Sequence, residues 1–316
     1  MINNHIRVFL RQITKSKGHS FINFAGFTLG ITVFLLIILF VQNELNMDRQ
    51  HENLNRIYRI QGENGRQIST APAVGKWISE KIPEAEKIVR FKFRHDYLVK
   101  YRSKNQENQE QKLVIENFGW ADAAVFDVFN FPFILGDPKT ALEDPFSLIL
   151  TKTTASRLFG EEDPLGKTLE LNNQHEYHVT GVIKDLERTH LRFDALAPFK
   201  NLEKIIGPSE LDSFDSWNLA TYILLPQTHD KTAVAAKITD LFHDKLKELR
   251  RVNFNFDLFP LKDVYFAPLG YGHQGNKPMV YTFIIIALFI LLIACVNFLN
   301  LSTARASLRA KEVGIK

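Results

Sequence analysis

The segment Phe159–Leu169, FGEEDPLGKTL, is the first place to look for chemistry, because glycines ahead of a Lys-Thr pair can cradle a phosphate. A GxxxxGK[ST] loop needs glycine where Glu161 stands; here five residues separate Gly160 from Gly166. Glu161, Glu162 and Asp163 would also repel the anion that such a loop gathers. The segment therefore reads as a polar turn after a helix. The histidines give no metal set. His175 and His178 are three apart on an expected strand and face opposite ways, while His51, His95, His190 and His273 are scattered. There is no HExxH and no GxSxG elbow. The single cysteine, Cys295, lies in an apolar block, which excludes an intrachain disulfide and a cysteine zinc site. Acidic residues are numerous, but no spacing picks out a general acid and base. No catalytic, cofactor-binding or metal-ligating residue is assigned, no cofactor is expected, and the chain is not expected to be an enzyme. Nucleic acid is not an expected partner either, because no basic cluster interleaved with aromatics lies outside the chain ends.

Two elements dominate the positioning of everything else. Phe21 to Val41 and Met279 to Leu301 carry no charge at all. At about 1.5 Å rise per residue each reaches roughly 31–35 Å, the thickness of a bilayer core. A soluble core helix is rarely apolar on every face for so long. The first block is too long for a signal-peptide core, and no small-x-small cleavage site follows it. The expected organisation is a cytoplasmic amphipathic helix over 1–20, a membrane helix over 21–42, an extracytoplasmic domain over 43–278, a second membrane helix over 279–301 and a cytoplasmic segment over 302–316.

Charge sets the orientation. Arg7, Arg11, Lys15 and Lys17 precede the first block without an acid, and Arg305, Arg309, Lys311 and Lys316 follow the second against Glu312 alone. Both flanks prefer the cytoplasm, which puts the large middle region outside. Glu44 and Asp48, at the outer end of the first block, agree. Ile6, Phe9, Leu10 and Ile13 fall on one helical face, with Arg7, Arg11 and Lys15 on another, as for a short helix lying on an anionic inner surface. Gly18 is expected to break that helix before the chain enters the bilayer. Gly26 and Gly30 make a GxxxG step that lets a second helix approach closely, and Asn297 and Asn300 could hydrogen-bond across helices.

The middle region alternates strand and helix character. Ile57–Ile60, Ile88–Phe93, Ser147–Thr151, Thr221–Leu225 and Phe254–Leu261 read as strands, and Thr168–Leu171 with Tyr177–Lys184 as a hairpin around Asn172-Asn173. Ala73–Lys81, Thr153–Phe159 and a single amphipathic stretch Thr232–Leu249 read as helices. Tyr101–Lys112 is a polar loop between strands or a hairpin tip. The expected class is α+β: two transmembrane helices flanking a mixed α/β domain with two subdomains. Its stability must come from an apolar core, for which many of the 26 phenylalanines are available.

Four stretches resemble the permease subunits of MacB/FtsX-type ABC transporters, in the form common in Bacteroidota. They are Asn23–Ile60 (NFAGFTLGITVFLLIILFVQNELNMDRQHENLNRIYRI), Phe129–Leu169, Tyr177–Leu196 (YHVTGVIKDLERTHLRFDAL) and Phe283–Lys316, whose Ala-Arg…Lys-Glu-Val-Gly-Ile-Lys ending is the most specific. The resemblance implies a bacterial inner-membrane protein with a periplasmic core domain between its first two spans. It also implies a cytoplasmic ABC ATPase partner, a homodimer or paired permease in the bilayer, and an envelope partner or exported substrate outside. Arg309, Lys311, Glu312, Gly314 and Ile315 match the family segment that meets the ATPase. Family members continue with at least two more spans, so a chain stopping at Lys316 is expected to be an N-terminal fragment or the product of a truncated gene. Two other classes share the topology: a membrane-bound sensor and an envelope interaction protein. A sensor would need a cytoplasmic output domain, and few residues follow the second block.

Overall fold

A computed structural model describes residues 17–102, 110–172, 174–251, 253–270 and 272–314. The chain divides into two compact units, residues 1–46 with 276–316 and residues 47–275. Residues 1–16 of the surface helix expected over 1–20, and Ile315, lie outside the described residues, and residues 17–20 belong to a longer helix.

The first unit is a pair of long helices, Lys17–Leu45 and Lys277–Gly314. Phe27 meets Phe298 at 5.6 Å and Phe40 meets Phe283 at 5.2 Å between ring centroids, so the two run antiparallel. Val280, Ala287 and Ala294, seven residues apart, are the buried seam of the second helix. Only 6% of the apolar window of the first helix and 17% of the second is buried. A core helix of a water-soluble protein would show the reverse. Gly18 does not break the chain as expected: it is the second residue of the first helix. One glycine costs a helix only about 1 kcal/mol, too little to stop it. The second helix runs unbroken from the apolar block through the basic segment to Gly314.

The second unit is a mixed sheet of twelve strands with helices on its faces. In chain order the strands are β1 (Ile57–Gly62), β2 (Lys87–Arg94), β3 (Tyr97–Arg102), β4 (Glu110–Ile115), β5 (Phe118–Ala121), β6 (Phe133–Leu135), β7 (Ser147–Thr151), β8 (Thr168–Leu171), β9 (His175–Ile183), β10 (Ala195–Pro198), β11 (Ala220–Leu224) and β12 (Phe256–Pro260). Their spatial order is β12-β1-β11-β2-β5-β10-β7-β9-β8-β3-β4, with β6 beside β9. The pairs β5–β10 and β7–β9 are parallel; the others are antiparallel. The two halves anticipated from the sequence thus share one sheet, joined at β5 and β10.

The alternation of the pleat explains the core. In β7, Leu148 and Leu150 enter one cluster and Ile149 another; in β11, Tyr222 and Leu224 face one way and Ile223 the other. Strands buried on both faces read as unbroken apolar runs, as Ser147–Thr151 does. Helices Pro72–Lys81 and Lys231–Leu241 cover the β12-β1-β11-β2 half. Helix Lys152–Phe159 covers the other half and is capped by Thr151, whose side chain accepts from the Thr154 amide. The hairpin expected around Asn172-Asn173 is β8–β9.

One expected element is divided. Thr232–Leu249 is two helices, Lys231–Leu241 and His243–Glu248, separated at Phe242 (φ −99°, ψ 2°). The Phe242 ring is fully buried, stacked on Trp77 at 5.5 Å and edge-on to Phe214 at 5.7 Å. That aromatic packing overrides the local helical period.

Candidate functional site

The residues that sequence spacing leaves scattered meet where the chain comes into and leaves the second unit. The incoming segment follows the first long helix within a few residues, and Asp48 there adopts a left-handed conformation, φ 60°. Aspartate tolerates this better than most side chains. Asp48 is wholly buried, an arrangement that is stable only if its charge is matched. It is matched by the loop after β9. The Asp48 amide donates to the Arg188 carbonyl at 2.9 Å. Oδ1 accepts from the Thr189 hydroxyl at 2.8 Å and the His190 amide at 3.1 Å. Oδ2 lies 2.9 Å from Nδ1 of His190. Because a carboxylate can only accept, that nitrogen carries its hydrogen. Nε2 of His190 reaches the Tyr222 hydroxyl of β11 at 2.7 Å, closing a buried Tyr–His–Asp chain.

Burial on its own would raise the Asp48 carboxyl. The charge of His190, with hydrogen bonds from His190 and Thr189 and the nearby His51 ring, outweighs it and holds the group well below the ordinary carboxylate range. His51 sits 3.7 Å from Oδ1 and accepts from the Asn130 amide through Nδ1 at 3.0 Å. Its ring stands edge-on to Phe129 at 5.2 Å and Phe131 at 5.7 Å. Phe129 in turn meets Tyr222 at 5.3 Å, so the polar chain is boxed in aromatics.

The outgoing segment is fastened to the same loop. His273 donates its amide to the His190 carbonyl at 3.1 Å. Gly272 has φ 76°, and a Cβ there would lie 2.3 Å from that carbonyl oxygen, so only glycine fits. Arg59 of β1, itself buried, donates to the Leu269 carbonyl at 3.3 Å and to Gln61 at 2.9 Å. Both connecting segments therefore grip residues 188–190. A Tyr–His–Asp chain resembles proton-relay chemistry, but side chains this deeply buried meet no substrate. The arrangement ties two distant pieces of chain to one loop.

The residues singled out from sequence fall elsewhere. A Cβ built on Gly30 would lie 3.1 Å from Cβ of Ala294, and one on Gly26 would lie 3.6 Å from the Asn297 amide nitrogen, so both glycines face the second long helix. Arg309, Lys311, Glu312 and Gly314 lie on the last turns of that helix. The glycine-lysine segment is the turn after helix Lys152–Phe159. Lys167 pairs with Glu162 and lies over the rings of Tyr101 and Phe159, so its amine is already engaged. His178, exposed on β9, bonds Thr168 at 3.0 Å. Among the described residues no group of His, Cys, Asp and Glu is placed to hold a metal. Sequence reasoning passes over the Asp48–His190 network because its halves are some 140 residues apart. The one signal is that Asp48 with His51, and Thr189 with His190, lie inside two of the stretches that carry the family resemblance.

Residues 20–241 match the family model of the MacB-like periplasmic core domain. No curated protein matches the chain. Among solved structures, a domain described as that of a permease from Porphyromonas gingivalis superposes with a TM-score of 0.55 at 17% identity, covering 73% of this chain and 98% of its own. That likeness supports the fold. The periplasmic region of MacB from Actinobacillus actinomycetemcomitans gives 0.47 at 14% identity over 65% of this chain and 90% of its own. The extracellular domain of the ABC-type transporter YknZ from Gram-positive bacteria gives 0.43 at 14% over 64% and 99%.

Proposed function

The chain belongs to the MacB-like periplasmic core domain family, and we propose that it acts as the permease subunit, or the N-terminal part of one, of an ABC transporter of the MacB/FtsX type. In this reading a cytoplasmic ATPase drives the long helices of a multi-pass inner-membrane protein, and residues 47–275 carry the movement on the periplasmic side for export or mechanical signalling. The basic residues at both ends support a cytoplasmic N-terminus and a cytoplasmic end to the second helix. The bare apolar faces of the helix pair suit lipid and a second permease, either a copy of this chain or a paired one.

The observation that carries the reading is the double fastening of the connecting segments to residues 188–190. A displacement arriving through either segment reaches the same loop, and that loop runs directly into β10 in the middle of the sheet. The continuous second helix suits the task as well. Its 38 residues make a rod of about 57 Å, on whose last turns Arg309, Lys311, Glu312 and Gly314 sit; these, with Ile315 next in sequence, are the assigned ATPase contact.

The test is capture. Tagged protein drawn from detergent-solubilised membranes should bring a nucleotide-binding ATPase with it. The Arg309→Ala/Glu312→Ala variant should lose that partner while remaining in the membrane. Undiminished capture by the variant would overturn the assigned contact.

A further inference from the structure

Strands β1 and β12 run together from the connecting segments to a far end, where Gly62 is in register with Phe256. Two loops meet at that end, one following β1 and one preceding β12. They enclose an open cavity of about 730 Å³ whose lining includes Glu63, Arg66, Arg250, Arg251 and Asn253. Three arginines therefore face one acid. Neither Arg66, Arg250 nor Arg251 makes a side-chain hydrogen bond or an ion pair among the described residues. Arg90, by contrast, forks onto Asp122 at 2.9 and 2.8 Å, and Arg56 pairs with Glu86.

Two further features distinguish this cavity from an ordinary solvated surface. The Arg251 guanidinium lies 4.3 Å from the Trp217 ring centroid and 5.5 Å from that of Phe254. Aromatic faces hold the cation in place and leave its N–H edges unused, which is how a guanidinium is preorganised for an incoming oxyanion. The backbone around it is also strained. Glu63 (φ 50°), Asn64 (φ 55°) and Arg250 (φ 57°) are all left-handed. Such conformations cost a non-glycine residue about 1 kcal/mol or more and collect at ligand clamps.

We infer that this cavity docks an acidic peptide segment of a partner protein, one that presents at least two carboxylates. The cavity is many times the size of a single oxyanion, so it fits two side chains and the backbone between them. Guanidinium forks match carboxylates in bidentate geometry, and the Asn253 amide suits a peptide group. The inference rests on residues 47–275 alone and not on coupling to an ATPase, so the two readings fail separately.

The experiment is fluorescence anisotropy of labelled hexaglutamate, with hexaglutamine as the reference, on the full chain in neutral detergent. Hexaglutamate should bind and hexaglutamine should not, and the affinity should fall with added salt. The Arg66→Ser/Arg250→Asn variant alters two exposed side chains, and asparagine tolerates the left-handed backbone at 250. It should weaken binding by about ten-fold or more with an unchanged melting temperature. Arg251→Lys keeps the charge over Trp217 but loses the fork, and should also weaken binding. Lys139→Ser/Lys200→Ser removes the same charge from other exposed positions and should have no effect. The proposal is overturned if the arginine variants bind as the wild type does, or if the lysine variant loses as much. Equal binding of hexaglutamine would overturn it, as would arginine-dependent binding of inorganic phosphate or phosphatidylglycerol vesicles in place of the peptide.

Discussion

One carboxylate, that of Asp48, holds Thr189, the His190 backbone and the His190 ring at once. Removing a single member of a buried, hydrogen-bonded charge pair costs about 3–5 kcal/mol, because the other member stays buried without its partner. Asp48→Ala should cost this much, with about 1–2 kcal/mol more for a left-handed alanine. Asp48→Asn should cost less: asparagine accepts the left-handed backbone and can still accept from Thr189. Chemical denaturation of residues 47–275 or of the whole chain would rank the two variants, and equal losses would contradict the role given to the backbone. The same carboxylate predicts an acid dependence. Its folded-state value is depressed, so its stabilisation is complete above the unfolded-chain value of 3.8 and is lost as pH falls below that toward the folded value. Between about pH 5 and 3 the wild type should therefore lose more stability than Asp48→Asn, whose side chain does not titrate. Parallel slopes for the two proteins would show that Asp48 is not the group responsible.

The long helices show what a sequence reveals and what it conceals. Apolar length and flanking charge are local properties, so both helices are legible, as are β7, the β8–β9 hairpin and helix Pro72–Lys81, whose signals lie within their own residues. The strands β3, β4, β5 and β10 are not legible in this way. The polar run Tyr101–Lys112 reads as a loop and takes in the end of β3 and the start of β4, and the four residues of β5 are too few to show a period. The division at Phe242 is invisible locally because its cause, the rings of Trp77 and Phe214, comes from other parts of the chain. The Asp48–His190–Tyr222 network is concealed for the same reason. Its members sit on three segments, and no period or motif links them. At the helix pair, by contrast, a short motif does bear on packing. With only 3.1 Å between Cβ of Ala294 and a Cβ placed on Gly30, Gly30→Leu should force the two helices apart. The readout is disulfide formation between cysteines at 27 and 298, whose parent rings lie 5.6 Å apart. Cross-linking in mild oxidant should be fast while Gly30 is kept and strongly slowed once Gly30→Leu is added. An unchanged rate would mean that the glycines do not set the helix spacing.

At the scale of the whole molecule, the family match and the physical unit do not end at the same residue, and the difference can be tested. The match stops at residue 241, at the end of helix Lys231–Leu241. The compact unit runs on to residue 275. Beyond 241 lie β12, which pairs with β1 from Tyr58 to Gly62, and the buried side chains of Phe242, Leu246, Phe254, Phe256 and Leu258. The same stretch supplies the His273 amide bonded to His190 and the Leu269 carbonyl bonded to Arg59. Burying each large apolar side chain is worth about 1.5–3 kcal/mol, so five of them outweigh the 5–15 kcal/mol net stability of a typical domain or come close to it. With its single cysteine outside the unit, no disulfide can compensate. Residues 47–275 produced alone should be a soluble, folded protein with one cooperative thermal transition. Residues 47–241 should show no such transition and should aggregate, because Ile60, Ile78, Ile223 and Ile238 would then line an open face. Circular dichroism melts of the two fragments decide the matter. A cooperative transition in the shorter one would mean that β12 and the outgoing segment are appended to a finished core, and the shared grip on residues 188–190 would then lose its claim to join the two connecting segments into one mechanical element.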